Sequence, residues 1–263
     1  MTSRSTAAVL ITVALLAAAT TARAQRGPAA APTNLSPEVL SLACAPSATT
    51  EAPPMPLRIT GGQDSFVRRI YGPGDLATIN AGRNNGIEVG QEYFVRRLQA
   101  ESGAAITPQT PATIRTTGWI KVYAVDDELS LVTITHACDT IEVGDYLEPF
   151  KLPTPPPVAT SRPKPERDNY GRVLMGTDRR KVFGKGDYLV IDRGADFGIE
   201  VGSQFVMYRD KKQPENFLYA IGEGIATEVK ENMATVLVTL SLDAIESGDY
   251  VALRRETDET GKK

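Results

Sequence analysis

Side chains able to do chemistry are few in this 263-residue chain. His136 is the sole histidine, and Cys44 and Cys138 are the sole cysteines. With one imidazole, no His-based metal site and no Ser-His-Asp triad is expected. No pair of carboxylates in distinct environments and no nucleophile–base pair can be read either. The two cysteines lack Cys-x-x-Cys spacing, so they read as a structural bridge in an oxidising compartment, with free thiols as the alternative. Asp75, Asp145, Asp187 and Asp249 recur after glycine, in Gly-x-Gly-Asp at 72–75 and 184–187 and in Gly-Asp-Tyr at 144–146, 186–188 and 248–250. Calcium would need six to eight oxygens and a D-x-D-x-D cluster, which is missing, so these aspartates read as turn formers bonding nearby amides. Catalytic residues, metal and cofactor are therefore expected to be none.

Two further groups are candidates for contact. Trp119, the only tryptophan, matches Glu223 in the repeat described next; it reads as a residue at the rim of the core, with a partly exposed contact for a sugar or a protein as the alternative. Residues 151–185 carry nine Lys/Arg against three acids, including Arg179-Arg180-Lys181. Such a stretch reads as a solvated edge strand, or as an attractor of anionic envelope polymer or lipid headgroups.

The elements that hold these residues are written twice. GPGDLATINAGRNNGIEVGQEYFVRR (72–97) matches GKGDYLVIDRGADFGIEVGSQFVMYR (184–209) at an offset of 112. GWIKVYAVDDELSLVTITHACDTIEVGDYL (118–147) matches GEGIATEVKENMATVLVTLSLDAIESGDYV (222–251) at an offset of 104. The eight residues between the offsets fall in 98–117, read as a loop. A duplicated unit fixes the fold reading before any local detail. Period-two alternation and Gly-rich turns make each copy all-β, with strands at 66–71, 76–80, 93–98, 119–125, 129–138 and 146–150. The fold class is thus all-β: two tandem small β-barrels, SH3-like or OB-like, joined by a Pro-rich linker. In Gly-Ile-Glu-Val-Gly (86–90 and 198–202), Ile87 and Val89 are expected to plug the barrel together. His136 and Cys138 stand where the second copy has Leu240 and Leu242, and all four are expected to face inward.

The termini set the compartment. Arg4, the apolar run 7–19 and Ala22-Arg23-Ala24 read as a cleaved export signal over 1–24, followed by an Ala/Pro/Ser/Thr-rich segment over 25–57. Within it, Ser36-Pro37-Glu38 starts a short helix over 37–43. Repeat 1 covers 58–150, the linker 151–169, repeat 2 170–255, and a charged tail 256–263. The linker KLPTPPPVATSRPKPERDN reads as a polyproline II spacer, with a strap on one barrel as the alternative. The formal charge of −3 bears on solubility and says little of partners.

The pattern Gly-Asp-x-(Val/Ile)…Gly-Ile-x-Val-Gly-x-x-Phe/Tyr, followed by a strand pair ending in Ile-x-x-Gly-Asp-Tyr, resembles the small β-modules of bacterial envelope proteins. It is similar to the C-terminal domain of flagellar assembly protein T and to the β-domains of rod-shape-determining protein C. It covers roughly two thirds of the mature chain and consists of turn glycines and core aliphatics, so it speaks to fold more than role. The resemblance implies a non-enzymatic protein that assembles with other envelope components. The expectation is a periplasmic or secreted envelope scaffold without a transmembrane segment in the mature chain and without nucleic-acid partners. Binding of peptidoglycan or another anionic polymer is the alternative.

Overall fold

Ser36 and Pro37 start the single α-helix among the described residues, α1 (Pro37–Ala43): Val39 N–H donates to Ser36 Oγ at 3.3 Å, and Pro37 occupies the first turn, where its missing N–H costs nothing. In the computed structural model, the described residues are 35–64, 68–100, 106–107, 110–157, 161, 163–166, 168–176, 180–210 and 217–255. The expected leader, residues 25–34, Arg179 and the tail 256–263 lie outside them.

After α1 one series of eight strands is laid down twice, each time preceded by a short added strand. The first set is β1 (Ser47–Thr49), β2 (Ile59–Gly62), β3 (Ile70–Tyr71), β4 (Leu76–Ile79), β5 (Glu92–Gln99), β6 (Ala112–Val125), β7 (Ser130–Ala137), β8 (Ile141–Glu142) and β9 (Tyr146–Pro149). The second is β10 (Lys164–Pro165), β11 (Gly171–Gly176), β12 (Val182–Phe183), β13 (Tyr188–Ile191), β14 (Gln204–Asp210), β15 (Leu218–Val229), β16 (Ala234–Ser241), β17 (Ile245–Glu246) and β18 (Tyr250–Arg255). The repeated series are β2 to β9 and β11 to β18, and the added strands are β1 on β6 and β10 on β18. The first sheet runs β2-β4-β7-β6-β5-β9. Its ends meet where Ile59 N–H donates to Asp145 O and Leu147 N–H to Leu57 O, both at 2.9 Å. The second runs β11-β13-β16-β15-β14-β18, and β18 pairs with both β14 and β11 to close a six-stranded barrel. The fold is all-β with two modules of one topology. Tyr71, Ile79, Val95, Ile134 and Ile141 are buried in the first, and Phe183, Ile191, Met207, Val238 and Ile245 occupy the matching core positions of the second.

Ile-Glu-x-Gly occurs four times, at 87–90, 141–144, 199–202 and 245–248, and each time it forms the same turn. The isoleucine is buried, and Gly90, Gly144, Gly202 and Gly248 have φ between 93° and 99°, which a side chain resists. The chain reverses between isoleucine and glycine, so two-residue alternation does not survive. Val89 is consequently 68 % exposed and does not join Ile87 in the plug, and Val201 is exposed as well.

Gly82 and Gly194, also equivalent, are fixed by a close approach. A Cβ on Gly82 would collide with the carbonyls of Asp126 and Asp127, and one on Gly194 with those of Lys230 and Glu231. The same segments are zipped by Arg83 N–H to Asp126 O at 2.8 Å and Ala195 N–H to Lys230 O at 2.9 Å, so the backbone cannot give way cheaply. Gly82→Ala and Gly194→Ala are each expected to cost about 2 kcal/mol, in the range of overpacked sites. Gly184→Ala, with open space around it, should stay within about 0.5 kcal/mol. Urea unfolding of the three variants checks this; equal effects at all three would refute it.

The linker corrects the spacer reading: it is a strap. Pro156 and Pro157 lie against Gly202, Gln204 Nε2 donates to Ser161 O at 3.0 Å, and β10 pairs with β18. The barrels also touch. β1 adds to β6 of the first barrel, while Ala48 packs against Val190 and Met233 of the second. Ser41 Oγ meets Tyr188 Oη at 2.9 Å, and Lys230 Nζ donates to Ala48 O. Burial of these small apolar groups favours a joined pair over separated beads.

Candidate functional site

The outer face of the first barrel carries most of the singled-out residues. Phe94, Trp119 and His136 face one another across β5, β6 and β7. Trp119 stacks on His136 with centroids 4.2 Å apart and meets Phe94 edge-on at 6.0 Å. Ala43, Leu40, Leu35 and Phe150 cover this row, and Cys44 is bonded to Cys138. Trp119 is therefore only 2 % exposed. The surface-contact reading is corrected: α1, fastened by the disulfide, covers a ring that the second copy, with Glu223 there, has no need to hide. His136 and Cys138 are corrected too, since they lie on the outer face. Register shifts between Trp119 and Ile120, and between Glu223 and Gly224, slip the alternation by one residue. Leu240 and Leu242 are exposed for the same reason.

The four aspartates do hold turns, by a route the sequence reading did not give. Each carboxylate reaches back to the amide three residues earlier: Gly72 N–H to Asp75 at 2.8 Å, Gly184 N–H to Asp187 at 2.9 Å, Glu142 N–H to Asp145 at 2.9 Å and Glu246 N–H to Asp249 at 2.6 Å. Each also takes an arginine. Arg68, Arg97 and Arg209 grip Asp75, Asp145 and Asp249 with two nitrogens each, while Arg180 reaches Asp187 with one. These fork-to-carboxylate bonds raise the pKa of Arg97 and Arg209 above the ordinary guanidinium value. Arg97 and Arg209 were missed, although they share a column of the repeat.

Of the basic contact candidates, Arg180 is thus engaged with Asp187 at 3.0 Å, Lys181 is exposed, and Arg179 lies outside the described residues. Arg172 is likewise occupied, its guanidinium 3.5 Å from the centroid of Tyr250. Among the described basic residues of the stretch, Arg172 and Arg180 are held in such contacts, while Lys151, Lys164, Lys181 and Lys185 are exposed.

Between the barrels lies a crevice of about 270 Å³, lined by Arg96, Glu148 and Lys151 of one side and Thr227, Glu228 and Lys230 of the other. Arg96 bonds Thr116 and lies 3.3 Å from Glu148. Nothing in the sequence joins these residues, because they come from different copies and non-equivalent positions. Crowding by both barrels raises the pKa of the Glu228 carboxyl, against the pull of Lys230 and Arg96. An acid with a raised folded pKa supports the folded state below its unfolded pKa, and that support is lost as pH rises through the folded value. Glu228→Gln should therefore raise the melting temperature at pH 7.5, by an increment that shrinks toward pH 4. A pH-independent increment in thermal melts would refute this.

Among the described residues no helix is long and apolar enough to cross a membrane. No protein-family model matches the chain, and no curated protein matches it significantly.

Proposed function

We propose that this chain is a non-catalytic, exported scaffold of the cell envelope that binds other envelope proteins through its duplicated β-surface. The observation that carries this reading is a repeated pair of outward apolar side chains. Ile70 and Val182 are exposed at equivalent places, as are Val89 and Val201, on a body joined by strap, strand and disulfide. Exposed apolar groups are ordinary when scattered, but the same two positions exposed in both modules give the same contact points in two copies, suited to bridging. The disulfide fits an oxidising compartment. The resemblance to envelope β-modules agrees with this role.

The test uses the tagged full chain in two assays run together. Envelope proteins should co-purify with it after crosslinking, and a variant carrying Ile70→Glu, Val89→Glu, Val182→Glu and Val201→Glu should lose them while keeping its melting temperature. Purified sacculi stripped of protein should not sediment it. Sedimentation with bare sacculi that is abolished by salt and by Arg180→Ser with Lys181→Ser would overturn the scaffold in favour of an anionic-polymer binder.

A further inference from the structure

We propose that reduction of the Cys44–Cys138 bridge unmasks a three-donor site for a thiophilic d10 metal ion, formed by the two cysteine sulfurs and a ring nitrogen of His136. The ligand atoms of Cys44, His136 and Cys138 all lie within 4.8 Å of one another. That spread is close to the separation of donors sharing one ion, with metal–sulfur bonds of about 2.3 Å and metal–nitrogen bonds of about 2.0 Å. Two thiolates and an imidazole are the donors that select Cu(I) and Zn(II) over oxygen-seeking cations. The set is also held in place by more than the bridge. His136 and Cys138 are two residues apart at the end of β7, where the ring is stacked on buried Trp119. Cys44 ends α1, whose Ala43 and Leu40 pack on the same aromatic cluster. Cys138 N–H donates to Thr117 O at 3.0 Å and Cys44 N–H to Leu40 O at 3.0 Å, so both cysteine backbones are anchored independently of the S–S bond. All three side chains are partly exposed, which gives a reductant and an ion access.

The chemistry balances with an external dithiol. One of its thiolates attacks Cys44 Sγ or Cys138 Sγ, and the S–S bond breaks to a mixed disulfide. The second thiol then closes the reductant into its own disulfide. Two electrons thereby pass to the cysteine pair, and two protons from the reductant leave two thiols. Metal binding returns those protons to solvent, and neutral His136 supplies the third donor.

The test is made on the full chain, reduced anaerobically with a phosphine and freed of reductant. Zn(II) and Cu(I) are titrated separately, each against a chromophoric chelator, to separate the two ions. One equivalent of at least one ion should bind the reduced chain and none the oxidised chain. X-ray absorption of that complex should count two sulfurs and one nitrogen from the protein. His136→Ala should weaken binding at least tenfold, and Cys44→Ser or Cys138→Ser should abolish it. Amide exchange across β5 to β7 should remain protected after reduction. Binding unchanged by His136→Ala, equal binding to oxidised chain, failure of both ions to bind, or collapse of that protection would each overturn the proposal.

Discussion

Removing the bridge by Cys44→Ser with Cys138→Ser should lower the stability of the first barrel by about 4 kcal/mol. The bridged residues are 94 apart in sequence, and closing a loop of that size in the unfolded chain is worth about 4 to 5 kcal/mol in the chain-entropy account. The loss falls on one module. Cys44 lies at the end of α1 and Cys138 just past β7, so the bridge spans the first barrel and leaves the second untouched. Trp119, the only tryptophan, sits beneath the bridge, so its fluorescence reports the first barrel alone while far-ultraviolet circular dichroism reports both. In urea, the fluorescence midpoint of the double variant should fall well below the midpoint of the remaining circular dichroism change. Native protein, denatured without reductant, should titrate no thiols. A loss under about 1 kcal/mol, or a fluorescence midpoint that does not move relative to the second barrel, would show that α1 is held by packing and that the loop argument fails.

The barrels were legible because the duplication supplies its own alignment. Turn glycines and core aliphatics stand in register in both copies, and each turn type imposes its own residues locally. Pro37–Ala43 was legible from a cap and a proline for the same reason. What escaped depends on contacts distant in sequence. β1 and β10 are too short and polar to show alternation, and exist because β6 and β18 offer them an edge. The stretch 112–117, read as loop, is strand because β5 runs on past Val95 and pairs with 113–116, with β1 added on 112–114. Comparison with Glu223 suggested an exposed contact as the alternative for Trp119, and that comparison was sound about the face. It erred about exposure, because only the first copy has an upstream helix to lay over it. Bulges turned His136 and Leu240 outward, and a bulge leaves no composition mark in a strand of Val, Thr and Leu. The crevice around Glu228 was the least legible feature, being made by docking alone.

Asp145→Ala and Asp249→Ala should each cost about 3 kcal/mol, against about 1 kcal/mol for Asp75→Ala or Asp187→Ala. All four carboxylates accept one amide and one arginine, and Asp145 takes the Thr117 hydroxyl at 3.3 Å besides, so burial is the main difference between the two pairs. Asp145 and Asp249 are 4 % and 7 % exposed, while the side chains of Asp75 and Asp187 retain 27 % and 28 %. Loss of Asp145 also strands more. Arg97 makes two bonds to it, and the same guanidinium donates to Thr140 O at 2.9 Å, so truncation leaves a largely covered cation and the Glu142 amide short of acceptors. Arg209 repeats the geometry with Asp249, Ala244 O and the Glu246 amide. Glu142 and Glu246, more exposed, neutralise part of the arginine charge, which keeps the figure at the lower end expected for breaking a buried pair. A double-mutant cycle isolates the cause. Arg97→Met combined with Asp145→Ala should cost clearly less than the two single losses added, since the second change removes the charge the first left unpaired. Trp119 fluorescence measures the first barrel, the circular dichroism change that remains once that signal is accounted for measures the second, and the two copies should agree within about 1 kcal/mol. Strict additivity, or a cost for Asp145→Ala no larger than for Asp75→Ala, would mean that the turn amide, rather than the arginine clamp, supplies the stability.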